Sequence, residues 1–166
     1  MTHAASRGLV FTLLSGLALV LIVPAAQAHI VPQRGIKGIR LGMTVSQVRA
    51  RLGPPDRIVF RRDPIQGRVR VYAYGLTHAS FSPGDASAAR VNGITTTSRR
   101  ERTTRGVGVG SRRAQVANRV PGIRCRVEFG VDHCFIGSFL PGHRVTDFRI
   151  GPTGRVRSVT VGVVID

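Results

Sequence analysis

Gly42-Met43-Thr44-Val45-Ser46-Gln47-Val48-Arg49-Ala50-Arg51-Leu52-Gly53-Pro54-Pro55 is the stretch on which the reading of this chain turns. Thr44 is placed to cap a helix, and Gln47 three residues later completes a capping box. Met43 and Val48 have the spacing of a hydrophobic staple. Val45, Val48 and Leu52 fall at i, i+3 and i+7, so one face of a short helix is apolar. Gly53-Pro54-Pro55 stops it, because proline cannot continue the hydrogen-bond ladder and disfavours helix in the residue before it. A weaker version of the pattern begins 68 residues on. There Gly110 answers Gly42, Gln115-Val116 answers Gln47-Val48, Val120 answers Leu52, and Pro121-Gly122 supplies the stop.

The segments after each helix alternate. Residues 57–63 read as a strand, Pro64-Ile65-Gln66-Gly67 as a turn, and Arg68-Val69-Arg70-Val71-Tyr72-Ala73-Tyr74 as a strand with valines on one side and arginines and tyrosines on the other. Residues 76–81 and 90–97 complete the first set, with residues 82–89 a loop. After the second helix, strands are expected over 126–129, 134–140, 144–150 and 155–164, with Gly151-Pro152-Thr153-Gly154 as the last hairpin turn. Phe81, Arg90-Val91 and Ile94 find counterparts in Phe148, Arg155-Val156 and Val159. The expected fold is therefore α+β: two tandem repeats, 38–97 and 106–166, each a short helical segment packed on an antiparallel meander of about four strands. Residues 29–37 form a lead-in, mobile at its start, and residues 98–105, with four arginines and one glutamate, a basic linker.

Residues 1–28 read as a secretory signal: Arg7, an apolar run over 8–23, then Ala26-Gln27-Ala28 as a small-x-small cleavage site. The alternative is an uncleaved membrane anchor, for which the run is short against the roughly 20 residues a span needs. The expected location is secreted or within the cell envelope. Cleavage would leave 138 residues with 24 basic and 8 acidic side chains, a net of +16, and every basic residue but Lys37 is arginine. Such a balance points to anionic partners such as nucleic acid, phospholipid or acidic polymer.

Cys125 and Cys134 are the only cysteines, and in an exported chain they read as one disulfide. His133 and His143 lie near them without any paired zinc-ligand spacing, so no metal is expected. Gly106-x-Gly108-x-Gly110-Ser111-Arg112-Arg113 departs from a dinucleotide fingerprint in its third glycine and its short helix, and reads as a strand-to-helix turn with Ser111 as cap. There is no Gly-x-Ser-x-Gly elbow, and Glu128 and Asp132 are the only acids close together. No catalytic residue, cofactor or enzymatic activity is expected.

The binding candidates are Arg61 and Arg62 with Arg68 and Arg70, which share a strand face with Tyr72 and Tyr74. Such a face could take a protein partner, stack bases, or hold a sulfated or phosphorylated polymer.

Gly42-Met43-Thr44-x-x-Gln47-Val48-x-x-x-Leu52-Gly53-x-Pro55, with Tyr72-x-Tyr74 and the Phe81…Val91-x-x-Ile94 hairpin, resembles the SmpA/OmlA small outer-membrane lipoproteins. The doubled arrangement with a cysteine pair resembles the β-lactamase inhibitor protein family. The resemblance implies helix-plus-sheet units repeated so that their sheets form one surface, in a non-enzymatic protein-binding module. No cysteine stands near the expected cleavage site to carry a lipid, and the matched residues shape the fold. The competing expectation is a basic envelope or anionic-polymer binder.

Overall fold

Thr44 Oγ1 accepts the Gln47 N–H at 3.1 Å, and Gln47 Oε1 accepts the Thr44 N–H at 2.9 Å. That reciprocal cap satisfies two otherwise orphaned donors and starts α1 (Val45–Leu52) where the sequence places it. The computed structural model describes residues 29–165; the expected signal segment lies outside them. α1 is preceded by β1 (Ile30–Val31), β2 (Gly35–Ile36) and β3 (Ile39–Arg40), and followed by β4 (Arg57–Asp63), β5 (Gly67–Tyr74), β6 (Thr77–Phe81) and β7 (Val91–Thr96). Then come α2 (Arg113–Arg119), β8 (Arg124–Glu128), β9 (Val131–Gly137), β10 (Arg144–Ile150) and β11 (Val156–Val163).

The expected fold of two helix-plus-meander repeats is corrected here. The chain is mostly β, with one antiparallel sheet of eight strands in the order β4-β5-β6-β7-β11-β10-β9-β8 and a separate sheet of three, β1-β2-β3. The pairing of β7 with β11, Thr96 opposite Val159 through Gly93 opposite Gly162, makes the large sheet continuous. A sheet that ended at β7 would leave a row of unpaired N–H and C=O groups, and joining it to β11 removes two such edges at once.

Of the three-stranded sheet only β3 is legible in the sequence, where Gly38-Ile39-Arg40-Leu41 alternates as a short strand entering the first helix. Lys37 and Gly38 both take positive φ, 53° and 79°, the geometry of a tight two-residue hairpin turn. Ile30, Ile36 and Ile39 are thereby driven into the core. Residues 98–105, read as a linker, are fastened beside them. Ile30 N–H donates to the Arg102 carbonyl, and Glu101 and Thr103 are buried.

Every covering element lies on one face of the eight-stranded sheet. The core there unites Val48 of α1, Val116 of α2 and the three isoleucines with Phe81, Ile94, Phe148 and Val159 of the strands. Burying a side chain of this size contributes about 1.5–3 kcal/mol, so this face supplies most of the hydrophobic stabilisation. α2 begins differently from expectation: Gln115 Oε1 accepts the Arg112 N–H at 2.9 Å. Ser111 is buried one place earlier, its Oγ accepting from Gly108 N–H and from Arg102.

Candidate functional site

The opposite face of the large sheet carries no covering strand or helix among the described residues, yet Val69, Val71, Ala73, His133, Phe135 and Val145 on it are buried, and its exposed members are chiefly the arginines. Register fixes its members. Arg57, Val59 and Arg61 on β4 lie beside Ala73, Val71 and Val69 on β5, then His78 and Ser80 on β6. At the junction Thr95 faces Thr160, their hydroxyls 3.0 Å apart, and Gly93 faces Gly162. Beyond them stand Val145, Asp147 and Arg149 on β10, His133 and Phe135 on β9, and Arg124 and Arg126 on β8. Small side chains thus form the middle of the face, with arginines toward both ends.

The most organised part surrounds His133, which is buried to 7% exposure. Its Nδ1 lies 3.0 Å from Asp147 Oδ1, and its Nε2 lies 3.6 Å from Glu128 Oε2, too far for a hydrogen bond. Arg126 closes on the same Glu128 oxygen at 2.8 Å. Phe135 and Phe139 pack against the His133 ring with centroids 5.2 and 5.6 Å away. Arg124 and Arg126 sit over the Phe135 ring at 4.9 and 4.8 Å, within cation–π range. A cavity of about 360 Å³ opens above His133, with Phe129 and Phe139 at its wall. Phe129 is 99% exposed at the tip of the β8–β9 hairpin.

Burial raises the Asp147 carboxyl above its ordinary value, while His133 and Arg149 oppose the rise. At the other end burial lowers His78 below 6.5, and Arg61 and Arg57 lower it further. A histidine held toward its neutral form beside two arginines is the mark of a positive local potential.

Of the six residues expected to share one binding surface, the structure separates five from the sixth. Arg61 lies on the open face. Tyr72 and Tyr74 point the other way into the core, Tyr72 edge-on to Phe81 at 4.9 Å and Tyr74 donating its hydroxyl to the Gly53 carbonyl. Alternation puts Arg62, Arg68 and Arg70 on that covered side, at its uncovered margin, where Arg68 lies 4.1 Å and Arg70 5.7 Å from the centre of the Phe60 ring. Tyr72 and Tyr74 are therefore core residues and offer no contact surface.

Cys125 and Cys134 face each other across β8 and β9 and form a disulfide, as their spacing and context suggest. The glycine-rich turn cradles no phosphate: Gly108 is pressed against the Glu101 carbonyl, and Gly110 N–H is taken by Val156. The acids read as neighbours, Glu128 and Asp132, diverge, Asp132 pairing with Arg113 at 3.1 Å. Among the described residues no three His, Cys, Asp or Glu side chains are placed to share a metal ion. No helix there is long and apolar enough to cross a membrane.

No protein-family description matches the chain, and no curated protein matches it. Among solved structures, a DUF4309 family protein, YjgB, from Bacillus subtilis aligns over 84% of this chain and 90% of its own, at 16% identity and a TM-score of 0.44. An extracellular protein containing an SCP domain from Bacillus anthracis aligns over 74% of this chain but only 44% of its own, at 12% identity and a TM-score of 0.46. Both likenesses are too loose to carry an argument, and the functional reading rests on the chain's own geometry.

Proposed function

We propose that this protein is a non-enzymatic, exported binding module whose helix-free sheet face docks an acidic protein surface through its exposed arginines. The observation that carries the reading is the asymmetry of the eight-stranded sheet. Helices and the small sheet cover one side, while the other presents a strip of small residues between Arg57 and Arg61 at one end and Arg124, Arg126 and Arg149 at the other. Its two acids near the second group, Glu128 and Asp147, are already engaged by Arg126 and His133. The exposed Phe129 and the half-exposed Phe139 add aromatic anchors at the same end, the residue type that concentrates binding energy at protein interfaces. His133 has an orienting carboxylate, but among the described residues no hydroxyl or thiol is hydrogen-bonded to it, the contact an activated nucleophile would make.

The test is capture from envelope extract with wild type and with the Arg61→Glu/Arg149→Glu double variant. The expected result is a stoichiometric protein lost from the variant; a partner retained undiminished by the variant would refute the reading. A second reading, an anionic-polymer binder, is supported by the few arginines engaged in ion pairs: only Arg113 and Arg126 among the described residues. It requires heparin binding that fades steeply with salt; binding unchanged at high salt would count against it.

A further inference from the structure

Where the three-stranded sheet meets the last turn of α1 and the start of β10, a cavity of about 510 Å³ is lined by Arg34, Arg40, Arg51 and Arg144. None of these guanidiniums is in an ion pair among the described residues. Like charges around one cavity repel, and the repulsion is relieved by an anion placed among them. Two details build the site. Gly38 leaves room for Arg51 to lie over it, since a Cβ there would stand 2.6 Å from Arg51 Nε. The chain bearing Arg34 is anchored by Gln33, whose N–H donates to Thr146 Oγ1 at 2.6 Å and whose side chain donates to the Arg144 carbonyl.

A second cavity, of about 540 Å³, adjoins the first, with Leu41 and Arg144 belonging to both. Its remaining wall is largely apolar, including Ile65, Pro83, Val163 and Ile165. Each volume is in the range of small-molecule sites, about 300–1,000 Å³. One compartment suits a multiply charged head and the other a hydrocarbon body.

We propose that the two cavities form one site for a single-chain amphiphile with a phosphorylated head. The phosphate lies among Arg34, Arg40, Arg51 and Arg144, and the chain lies along Leu41, Ile65 and Val163. A phosphate monoester is favoured over a carboxylate because it offers three acceptor oxygens and up to two charges, and the guanidinium fork matches that geometry in a bidentate manner. The site shares no residue with the open face, so it stands independently of the proposed docking function.

The experiment is calorimetric titration of the full protein, below each ligand's micelle concentration. The probes are 1-oleoyl-glycerol 3-phosphate and farnesyl phosphate, compared with neutral 1-oleoylglycerol, oleate and glycerol 3-phosphate. The expected result is saturable one-to-one binding of at least one phosphorylated amphiphile, at least tenfold tighter than the neutral lipid or oleate. Glycerol 3-phosphate should bind more weakly still. The tighter of the two phosphorylated probes tells whether the body is acyl or isoprenoid. Arg40→Gln and Arg51→Gln should each weaken binding about tenfold, the loss of one charge-assisted contact. Ile65→Asp, at a 61% exposed position, should weaken the amphiphile without affecting glycerol 3-phosphate. An unchanged thermal midpoint shows that each variant is folded, and Arg61→Glu/Arg149→Glu should bind as wild type. No binding, equal binding of the neutral lipid or oleate, binding only to micelles, or indifference of folded Arg40 and Arg51 variants would overturn the proposal.

Discussion

His133 on β9 and Asp147 on β10 stand 3.0 Å apart, Nδ1 to Oδ1, although 14 residues separate them in the chain. The pairing orients a buried imidazole on the sheet face that lies away from the helices. It holds Asp147 under competing influences: burial raises its carboxyl above 3.8, and the neighbouring His133 and Arg149 pull it back.

Because the rise prevails, the unfolded chain releases the Asp147 proton at lower pH than the folded chain. Stability contributed by this group is therefore lost as pH climbs from 3.8 through the higher folded value. Asp147→Asn removes that dependence. Thermal midpoints measured from pH 3 to pH 7 should show the variant gaining on wild type as pH rises, and a difference that stays constant with pH would contradict the assignment.

His78 shifts in the opposite sense, lowered below 6.5 by burial first and then by Arg61 and Arg57. Its contribution to stability is present above pH 6.5 and is lost as pH falls toward the folded value, because the unfolded imidazole protonates first. In an NMR titration its midpoint should lie below 6.5, and Arg61→Ala should move it upward. An unmoved midpoint would mean that Arg61 does not bear on this face.

Removing the Cys125–Cys134 disulfide frees a short loop, the paired residues having a sequence separation of 9. Loop-closure entropy alone assigns it about 2–3 kcal/mol. The Cys125→Ala/Cys134→Ala double variant should lower the urea midpoint by a corresponding amount, with Cys134 adding a small packing loss because it is fully buried. A midpoint equal to wild type would show that the β8–β9 pairing already restrains the unfolded chain.

Two packing substitutions grade the covered face. Thr44→Ala deletes the cap acceptor of α1 and should cost about 1 kcal/mol. Phe148→Ala, at a fully buried position against Cys134 and Val159, should cost about 3–5 kcal/mol. Chemical denaturation should rank them in that order; the reverse would place the core elsewhere.

Glu101 is a buried carboxylate whose Oε2 lies 2.9 Å from His29 Nδ1 without the geometry of a hydrogen bond, and among the described residues that oxygen has no hydrogen-bond partner. His29→Ala removes the side chain that stands against this carboxylate and should destabilise the protein by up to about 1 kcal/mol, the scale of an ion pair with one half-exposed member. His29→Ala together with Glu101→Gln should recover part of the loss. Equal stability of wild type and His29→Ala would show that water serves Glu101 as well as histidine does.

The local features were legible in the sequence. The α1 cap depends on residues three apart, Gly53-Pro54-Pro55 ends the helix by proline's own geometry, and the strand expected over 144–150 matches β10 (Arg144–Ile150). The two cysteines needed no register to be paired. Alternation on β5 was equally clear, yet it separates two faces without saying which one becomes covered. The pattern therefore reads Tyr72 and Tyr74 as surface residues, whereas both are buried in the core.

The His133 cluster was invisible for a related reason. Its members come from three strands, and which residues stand opposite one another depends on register, which a single strand does not encode. The fusion of β7 to β11 is likewise a decision of two distant edges, made because each must satisfy its backbone hydrogen bonds. By itself the sequence determined where helices cap, where strands alternate and that arginine dominates the charge. Only the tertiary structure decided that all eight strands share one sheet with the helices gathered on one face, because that choice depends on which apolar surfaces meet, a property of the assembled chain.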